Sequence, residues 1–255
     1  MTGTGTFRRI KTSRVGDVAV LTLASDKVNA LDTEVLAEIA AFVDLCGQDS
    51  EVKALVMTGE GPVFSAGLNV SEVLDNEKSH TDVLLDALNL ALTRLFRCPK
   101  PTVAAINGSA IAGGCILACA CDKRIMADEA RIGVTELRVG VSFPLLAVEL
   151  LKHACGERAE QLMLDASLLD AGEACRCGLV HQSVPLPELH SAAVSAAERL
   201  GSLDVRAYAL AKESSRRAAL RAVEEDDGRF DRRVRQQWQD DQTRANLDRI
   251  RKPKG

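Results

Sequence analysis

Two glycine-bearing stretches, about 45 residues apart, constrain this chain more than any other feature. The first is Val63-Phe64-Ser65-Ala66-Gly67-Leu68-Asn69, and the second is Asn107-Gly108-Ser109-Ala110-Ile111-Ala112-Gly113-Gly114-Cys115. In each, small residues permit a tight backbone turn and a close approach of a ligand to main-chain N–H groups. Two such turns facing one another would present a pair of backbone donors to a developing oxyanion. That combination points to acyl chemistry without a serine or cysteine nucleophile.

The segments around these turns alternate between strand and helix patterns. Asp17 to Leu23 is rich in β-branched residues and reads as a strand. Thr33 to Cys46 carries apolar residues at helical spacing, with Thr33 as N-cap and Gly47 as the stop. Val52 to Thr58 and Thr102 to Ile106 read as buried strands, with an amphipathic helix from Leu84 to Phe96 between them. Gly114 to Cys121 reads as a small-residue helix, followed by a strand at Lys123 to Ala127. Helices at Leu145 to Ala154 and Glu157 to Leu164 and a strand at Leu179 to Val184 come next. After Pro187 the chain is helical and charged. This order predicts an α/β fold.

Composition removes several function classes. With 46% hydrophobic residues, 27% charged residues and a net charge of −4, the 255-residue chain lacks the basic character of a nucleic-acid binder. Aromatic residues make up only 3%, too few for base-stacking platforms. The eight cysteines include no C-x-x-C pair and no zinc-like spacing with histidine, so no metal site is expected, and free thiols suit a reducing, cytoplasmic setting. The amino-terminal stretch MTGTGTFRRIKTSR lacks an apolar segment of signal length, no run of 18 apolar residues occurs, and no membrane association is expected. Phosphate-binding, dinucleotide and nucleophile-elbow motifs are absent; Gly3-Thr4-Gly5 is too short to count. His80 in a polar loop, His153 on a helix, and His181 and His190 near the last strand have no sequence neighbour that suggests a catalytic triad. Glu224-Glu225-Asp226-Asp227 reads as a solvated helix face. Trp238, Leu247 and Ile250 give the tail an apolar side to dock on its own core or on another subunit.

Taken in order, these motifs resemble the crotonase superfamily, the enoyl-CoA hydratase/isomerase group. Val28-Asn29-Ala30-Leu31 is similar to the family's N-A-L loop. Phe64 to Asn69 is similar to its F-x-A-G-x-D segment, with Asn69 in place of Asp. Asn107-Gly108 with Ala112-Gly113-Gly114-Cys115 is similar to N-G-x-x-x-G-G-G-C, with Ala112 in place of the first glycine. The resemblance implies a spiral of β-β-α turns over residues 1–195, followed by a helical trimerisation region over residues 196–255. It implies a homotrimer or a dimer of trimers, and a coenzyme A thioester as substrate with no separate cofactor. It assigns the thioester oxygen to the N–H groups of Leu68 and Gly113, each such donor supplying about 3–4 kcal/mol in the transition state. The position of Gly113 at a helix mouth adds a positive dipole end. Coenzyme A would lie along Lys27, Val28 and Ala30 and along Ala66, Gly67, Leu68, Asn69 and Val70. Lys27 would reach a phosphate as a point charge, with a solvated surface lysine as the alternative. The acyl tail would run between Ser71–Ser79, the Leu84-to-Phe96 helix and the C-terminal helices, under a polar, mobile loop from Asp75 to His80.

The family's acids narrow the chemistry further. Its hydratases commonly use two glutamates, and the first of those positions is Ile116 here. Gly133-Val134-Thr135-Glu136-Leu137-Arg138-Val139-Gly140 retains the second, as Glu136. The acid that dienoyl-CoA isomerases of the family use eight residues later is replaced by Pro144. One carboxylate suits a 1,3-proton shift in a 3-enoyl-CoA, and this acid pattern resembles the Δ3-Δ2-enoyl-CoA isomerases most. Ile116 would keep the wall dry, and dryness raises a carboxyl's pKa toward neutrality. Hydration, another thioester reaction, or acyl-CoA binding without turnover remain alternatives. On composition alone, Glu136 would be an exposed glutamate at a strand end.

Overall fold

The computed structural model describes residues 7–251, so the expectations for Gly3-Thr4-Gly5 and the start of the chain lie outside the described residues. The chain opens with a hairpin, β1 (Ile10–Val15) and β2 (Val18–Leu23), then α1 (Thr33–Gln48), β3 (Ala54–Gly59) and β4 (Val63–Ser65). Next come α2 (Val70–Asp75), α3 (His80–Arg97), β5 (Thr102–Ile106), β6 (Ser109–Ile111) and α4 (Gly113–Cys119). β7 (Lys123–Ala127) and β8 (Arg131–Gly133) lead into a 3-10 turn at Glu136–Val139. α5 (Leu145–Cys155), α6 (Arg158–Leu164), β9 (Leu168–Asp170), α7 (Ala171–Arg176) and β10 (Gln182–Val184) follow. Four helices end the chain: α8 (Leu186–Gly201), α9 (Val205–Asp226), α10 (Arg229–Gln239) and α11 (Asp241–Arg251).

The described strands form two sheets, ordered β1-β2-β3-β5-β7-β10 and β4-β6-β8-β9. Three times in succession the chain lays one strand in the first sheet and the next in the second: β3 then β4, β5 then β6, β7 then β8. Within each sheet these strands are parallel to their counterparts from the neighbouring turn. A parallel pair cannot close by a hairpin, so each turn returns through a crossover, and repetition produces a spiral. Antiparallel strands border both sheets, β1 on β2 and β9 on β8.

Burial explains which elements the sequence announces. Every residue of β5 is buried, as expected for a central parallel strand covered on both faces. α1 buries Val35, Leu36, Ile39, Ala40, Phe42, Val43 and Cys46 on one stripe and packs it against α3. α8 packs on β3, β5 and β7.

Several boundaries differ from the sequence expectation. The N-cap of α1 is Asp32, whose Oδ1 accepts from the Val35 N–H at 2.8 Å, and the helix passes through Gly47. Thr33 instead donates to Glu72 through its N–H and hydroxyl. α3 begins at His80 rather than Leu84, because its polar first turn is held in place: Thr81 is buried, and His80 Nε2 lies 2.8 Å from Glu72 Oε1. The expected loop from Asp75 to His80 is therefore shorter. Arg244 of α11 donates to the Val73, Leu74 and Asn76 carbonyls, which pins the chain entering that loop. Of the strand expected from Leu179 to Val184, only Gln182–Val184 pairs; the Leu179 carbonyl accepts from Arg124 Nε instead.

Candidate functional site

The two glycine turns face one another. Gly67 has φ +91°, and a Cβ there would lie 3.0 Å from the Gly113 nitrogen, the Ile111 oxygen and the Ala112 methyl. Gly113 is the first residue of α4, and a Cβ on it would sit 3.6 Å from the Leu68 nitrogen. Behind it, a Cβ at Gly114 would come within 2.4 Å of the Ser65 carbonyl oxygen, so glycine there lets α4 press directly on β4. Among the described residues, neither the Leu68 N–H nor the Gly113 N–H donates to a protein acceptor. The Gly113 N–H belongs to the first turn of a helix, where no intrahelical acceptor exists. Ala112 takes φ 53°, ψ −124°, a conformation that favours the glycine usual at this position of the resembled motif.

A network behind Leu68 holds the first turn. The Leu31 N–H donates to the Gly67 carbonyl at 2.9 Å, and the Ala66 N–H donates to the Val28 carbonyl at 3.0 Å. Ser65 Oγ donates to the Asn29 carbonyl and accepts from the Gly67 N–H. Asn29, at φ 50°, donates its side-chain amide to the Glu60 and Val63 carbonyls. The N-A-L loop is thereby fastened to the A-G segment.

Leu68 and Gly113, the bearers of the free amides, both line a cavity of about 230 Å³. Ala66, Leu68 and Val70 line one side, with Ala112, Gly113 and Ile116 beside them. Val141, Phe143, Pro144 and Ala147 form a further wall, and Trp238, Leu247 and Ile250 of α10 and α11 close over the top. The expected apolar face of the tail thus docks on the chain's own core. The expected replacements Ile116 and Pro144 both line the cavity as dry surface.

Glu136 is the one titratable side chain among the lining residues. It opens the 3-10 turn rather than ending a strand, and only 9% of it is exposed. Burial raises its pKa from 4.5 to about 7, offset in part by the nearby N–H groups of Glu136 and Thr135. Its buried Oε2 has no hydrogen-bond partner. Two of the other polar cavity residues are committed: Ser142 donates through N–H and Oγ to Gln237 Oε1, and Trp238 Nε1 donates to the Ser142 carbonyl. A buried carboxyl without a charged partner, beside two open amides, can exchange a proton with a bound acyl group while the amides hold its oxygen.

The remaining expected residues, Lys27, Val28, Ala30 and Asn69, are not part of the cavity lining. Lys27 and Val28 are exposed in a loop whose Val28 and Ala30 N–H groups donate to Asp26 Oδ1. Asn69 uses its side-chain oxygen to cap α2, accepting from the Ser71 and Glu72 N–H groups, which leaves its amide nitrogen as the group able to meet a ligand. Among the described residues no group of three or more His, Cys, Asp or Glu could hold a metal ion. No described helix is long and apolar enough to cross a membrane. Motif reading did not reach Val141, Ser142 and Phe143, which line the cavity between Gly140 and Pro144, or Gln237, which joins the site through Ser142 across 95 residues.

Comparison with known proteins follows the same geometry. The sequence model of the enoyl-CoA hydratase/isomerase family matches residues 14–249. The human mitochondrial enoyl-CoA delta isomerase 1 is 33% identical over 205 residues, covering 79% of this chain and 68% of the relative. A putative enoyl-CoA hydratase of Thermus thermophilus is 35% identical over 204 residues, covering 78% and 80%. The crystal structure of human mitochondrial delta3-delta2-enoyl-CoA isomerase superposes with a TM-score of 0.91 at 28% identity, covering 97% of this chain and all of that one. With its two-sheet spiral, its facing glycine turns and a family match over nearly the whole length, this chain belongs to the enoyl-CoA hydratase/isomerase family, the crotonase superfamily.

Proposed function

We propose that this protein is a Δ3-Δ2-enoyl-CoA isomerase of fatty-acid metabolism. The observation that carries the reading is the single titratable group, Glu136, in a cavity that also holds the unpaired Leu68 and Gly113 amides. The thioester oxygen accepts from both amides, which places C2 of a 3-enoyl chain beside the carboxylate. Glu136 removes a proton from C2, and the electron pair delocalises over a dienolate whose oxygen the two N–H groups stabilise. The same carboxylic acid returns the proton at C4, and the double bond has moved from C3–C4 to C2–C3. A pKa of about 7 suits both halves, since the group must be basic enough to take the proton and acidic enough to give it back.

Coenzyme A extends from this point along Lys27, Val28 and Ala30 and the segment from Ala66 to Val70. The Asn69 side-chain amide and the Lys27 ammonium are the polar side-chain groups this path offers. The acyl end enters the space under Trp238, Leu247 and Ile250. A homotrimer, or a dimer of trimers, accompanies this reading. It is supported by the exposed apolar side chains Leu203, Val205 and Leu210 at the start of α9, and light scattering tests it.

The similarity to a putative hydratase favours hydration of 2-enoyl-CoA as a second reading. Supplying the purified protein with 3-enoyl-CoA and 2-enoyl-CoA separates the two. Conversion of the first to the conjugated thioester, without hydration of the second, is the expected result. Formation of 3-hydroxyacyl-CoA from the second supports the hydratase. Tight binding without any product would mark an acyl-CoA-binding protein.

A further inference from the structure

The structure assigns Gln237 of α10 as a positioning residue for Glu136, acting through residues 140–142; this rests on the catalytic reading of Glu136 given above. Gln237 is 97 residues from Gly140 in sequence, yet its side-chain amide pairs with that segment as a neighbouring peptide unit would. Its Nε2 donates to the Gly140 carbonyl, and its Oε1 accepts from the Ser142 N–H at 3.0 Å and from Ser142 Oγ at 2.8 Å. The adjacent Trp238 adds a bond from Nε1 to the Ser142 carbonyl at 2.9 Å. Residue 141 is therefore bracketed on both sides, and its own N–H donates to the Glu136 carbonyl at 3.2 Å. The backbone of the carboxylate is tied to α10 through a single intervening residue.

The segment has little freedom to hold itself. Gly140 sits at φ +74°, and a Cβ there would lie 2.8 Å from the Asn246 amide nitrogen, so α11 presses directly on the turn. Val141 is buried against the same cavity as Glu136. If the bracket opens, residues 140–142 move from the carboxyl and water enters beside it.

Charges around Glu136 do not supply a competing control. The 3-10 turn packs against α6 and α11. On those helices Arg158 bonds to Gln161, Arg244 to the α2 carbonyls, Arg249 to Asn246, Arg251 to Asp75 and Asp248, and Asp241 to Lys78. Glu160 of α6 and Arg138 of the turn itself are exposed. The Cys115 thiol of α4 is held neutral first by its hydrogen bond with Cys119 and then by burial, with the negative charge of Glu136 a lesser contribution. Exclusion of water is what the clamp maintains.

The test is Gln237→Met, which keeps side-chain length and removes both hydrogen-bonding functions, with Trp238→Phe removing the indole donor together with part of the ring while leaving Gln237 in place. Protein labelled with 13Cδ-glutamate, with the Glu136 signal assigned by its loss in Glu136→Gln, is titrated to follow the carboxyl directly. Gln237→Met is expected to move that midpoint from about 7 toward the ordinary glutamate value near 4.5, with Trp238→Phe moving it less in the same direction. The kcat for 3-enoyl-CoA should fall roughly tenfold or more while KM changes less than about threefold, the signature of a lost interaction at the reacting centre. An unmoved carboxyl titration in folded Gln237→Met overturns the assignment; if that variant does not fold, an unmoved titration in Trp238→Phe does so. The titration needs no turnover, so absent isomerase activity would refute the catalytic reading while the clamp is still decided by the carboxyl signal.

Discussion

Leu31 and Leu68 are joined by one isolated parallel bridge, and that bridge leaves the Leu68 amide free. In a parallel pair the hydrogen bonds of one residue go to the two neighbours of its partner. Here the Leu31 N–H donates to Gly67 and the Leu31 carbonyl accepts from Asn69, so both bonds flank Leu68. Its own N–H is turned to the other side, where Gly113 begins α4. A backbone donor is thus fixed by its neighbours' hydrogen bonds and spared from making one itself, which is what preorganisation of an oxyanion site requires.

Burial of Glu136 should be visible as a pH dependence of stability. Its pKa is raised from 4.5 to about 7 on folding, so between those values the folded state holds a proton that the unfolded state has released. The group therefore favours folding most below pH 4.5, and its contribution declines through the window, costing about 3 kcal/mol above pH 7. Glu136→Gln removes this dependence. Urea unfolding at acid and at mildly alkaline pH should show the variant gaining on the wild type by about 3 kcal/mol. Parallel stability curves for the two proteins would mean that the carboxyl is not buried as described.

Gly114→Ala tests the contact that seats α4. The added methyl would lie 2.4 Å from the Ser65 oxygen and 2.8 Å from its Cβ, both in the buried turn that precedes Gly67. Neither can yield without moving the A-G segment. A loss of about 2–3 kcal/mol in stability is expected. Turnover should fall as well, because the Leu68 and Gly113 amides are displaced relative to each other. Wild-type stability and rate in this variant would remove the contact from the account.

Asp122 pairs with two buried cations at the far end of α4. Its Oδ2 accepts from Lys212 Nζ at 2.8 Å and from the Thr102 N–H at 2.8 Å, and its Oδ1 accepts from Arg216 Nη2 at 2.6 Å. Arg216 also lies 4.1 Å over the Phe96 ring. Asp122→Asn should cost about 3–5 kcal/mol, since it leaves buried positive charge without its counter-ion. Chemical unfolding measures this, and a loss below about 1 kcal/mol would place the network among exposed, screened pairs.

Legibility in the sequence followed burial and length. β5 was plain because an apolar run is what a strand covered on both faces needs, and the stripe of α1 was equally plain. β1 was not, because only Ile10 of its six residues is buried and no apolar run or alternation marks it. Four three-residue strands, β4, β6, β8 and β9, build the second sheet and are too short to carry a period. The first turn of α3 was hidden because His80 is held by Glu72, eight residues away, and not by an apolar face. At the site, motif order indicated Leu68, Gly113 and Glu136. The burial of Glu136 and the closure by Gln237 and Trp238 depend on contacts across more than ninety residues, beyond any local pattern.

Isomerisation of a 3-enoyl-CoA deuterated at C2, followed in ordinary water under single-turnover conditions, tests the proposed proton path most directly. One carboxyl that both removes and returns the proton should deliver conjugated 2-enoyl-CoA with deuterium at C4, and Glu136→Gln should slow its formation at least about a hundredfold while sparing coenzyme A affinity. Absence of the conjugated product, deuterium-free C4 throughout, or an undiminished rate in Glu136→Gln would contradict it.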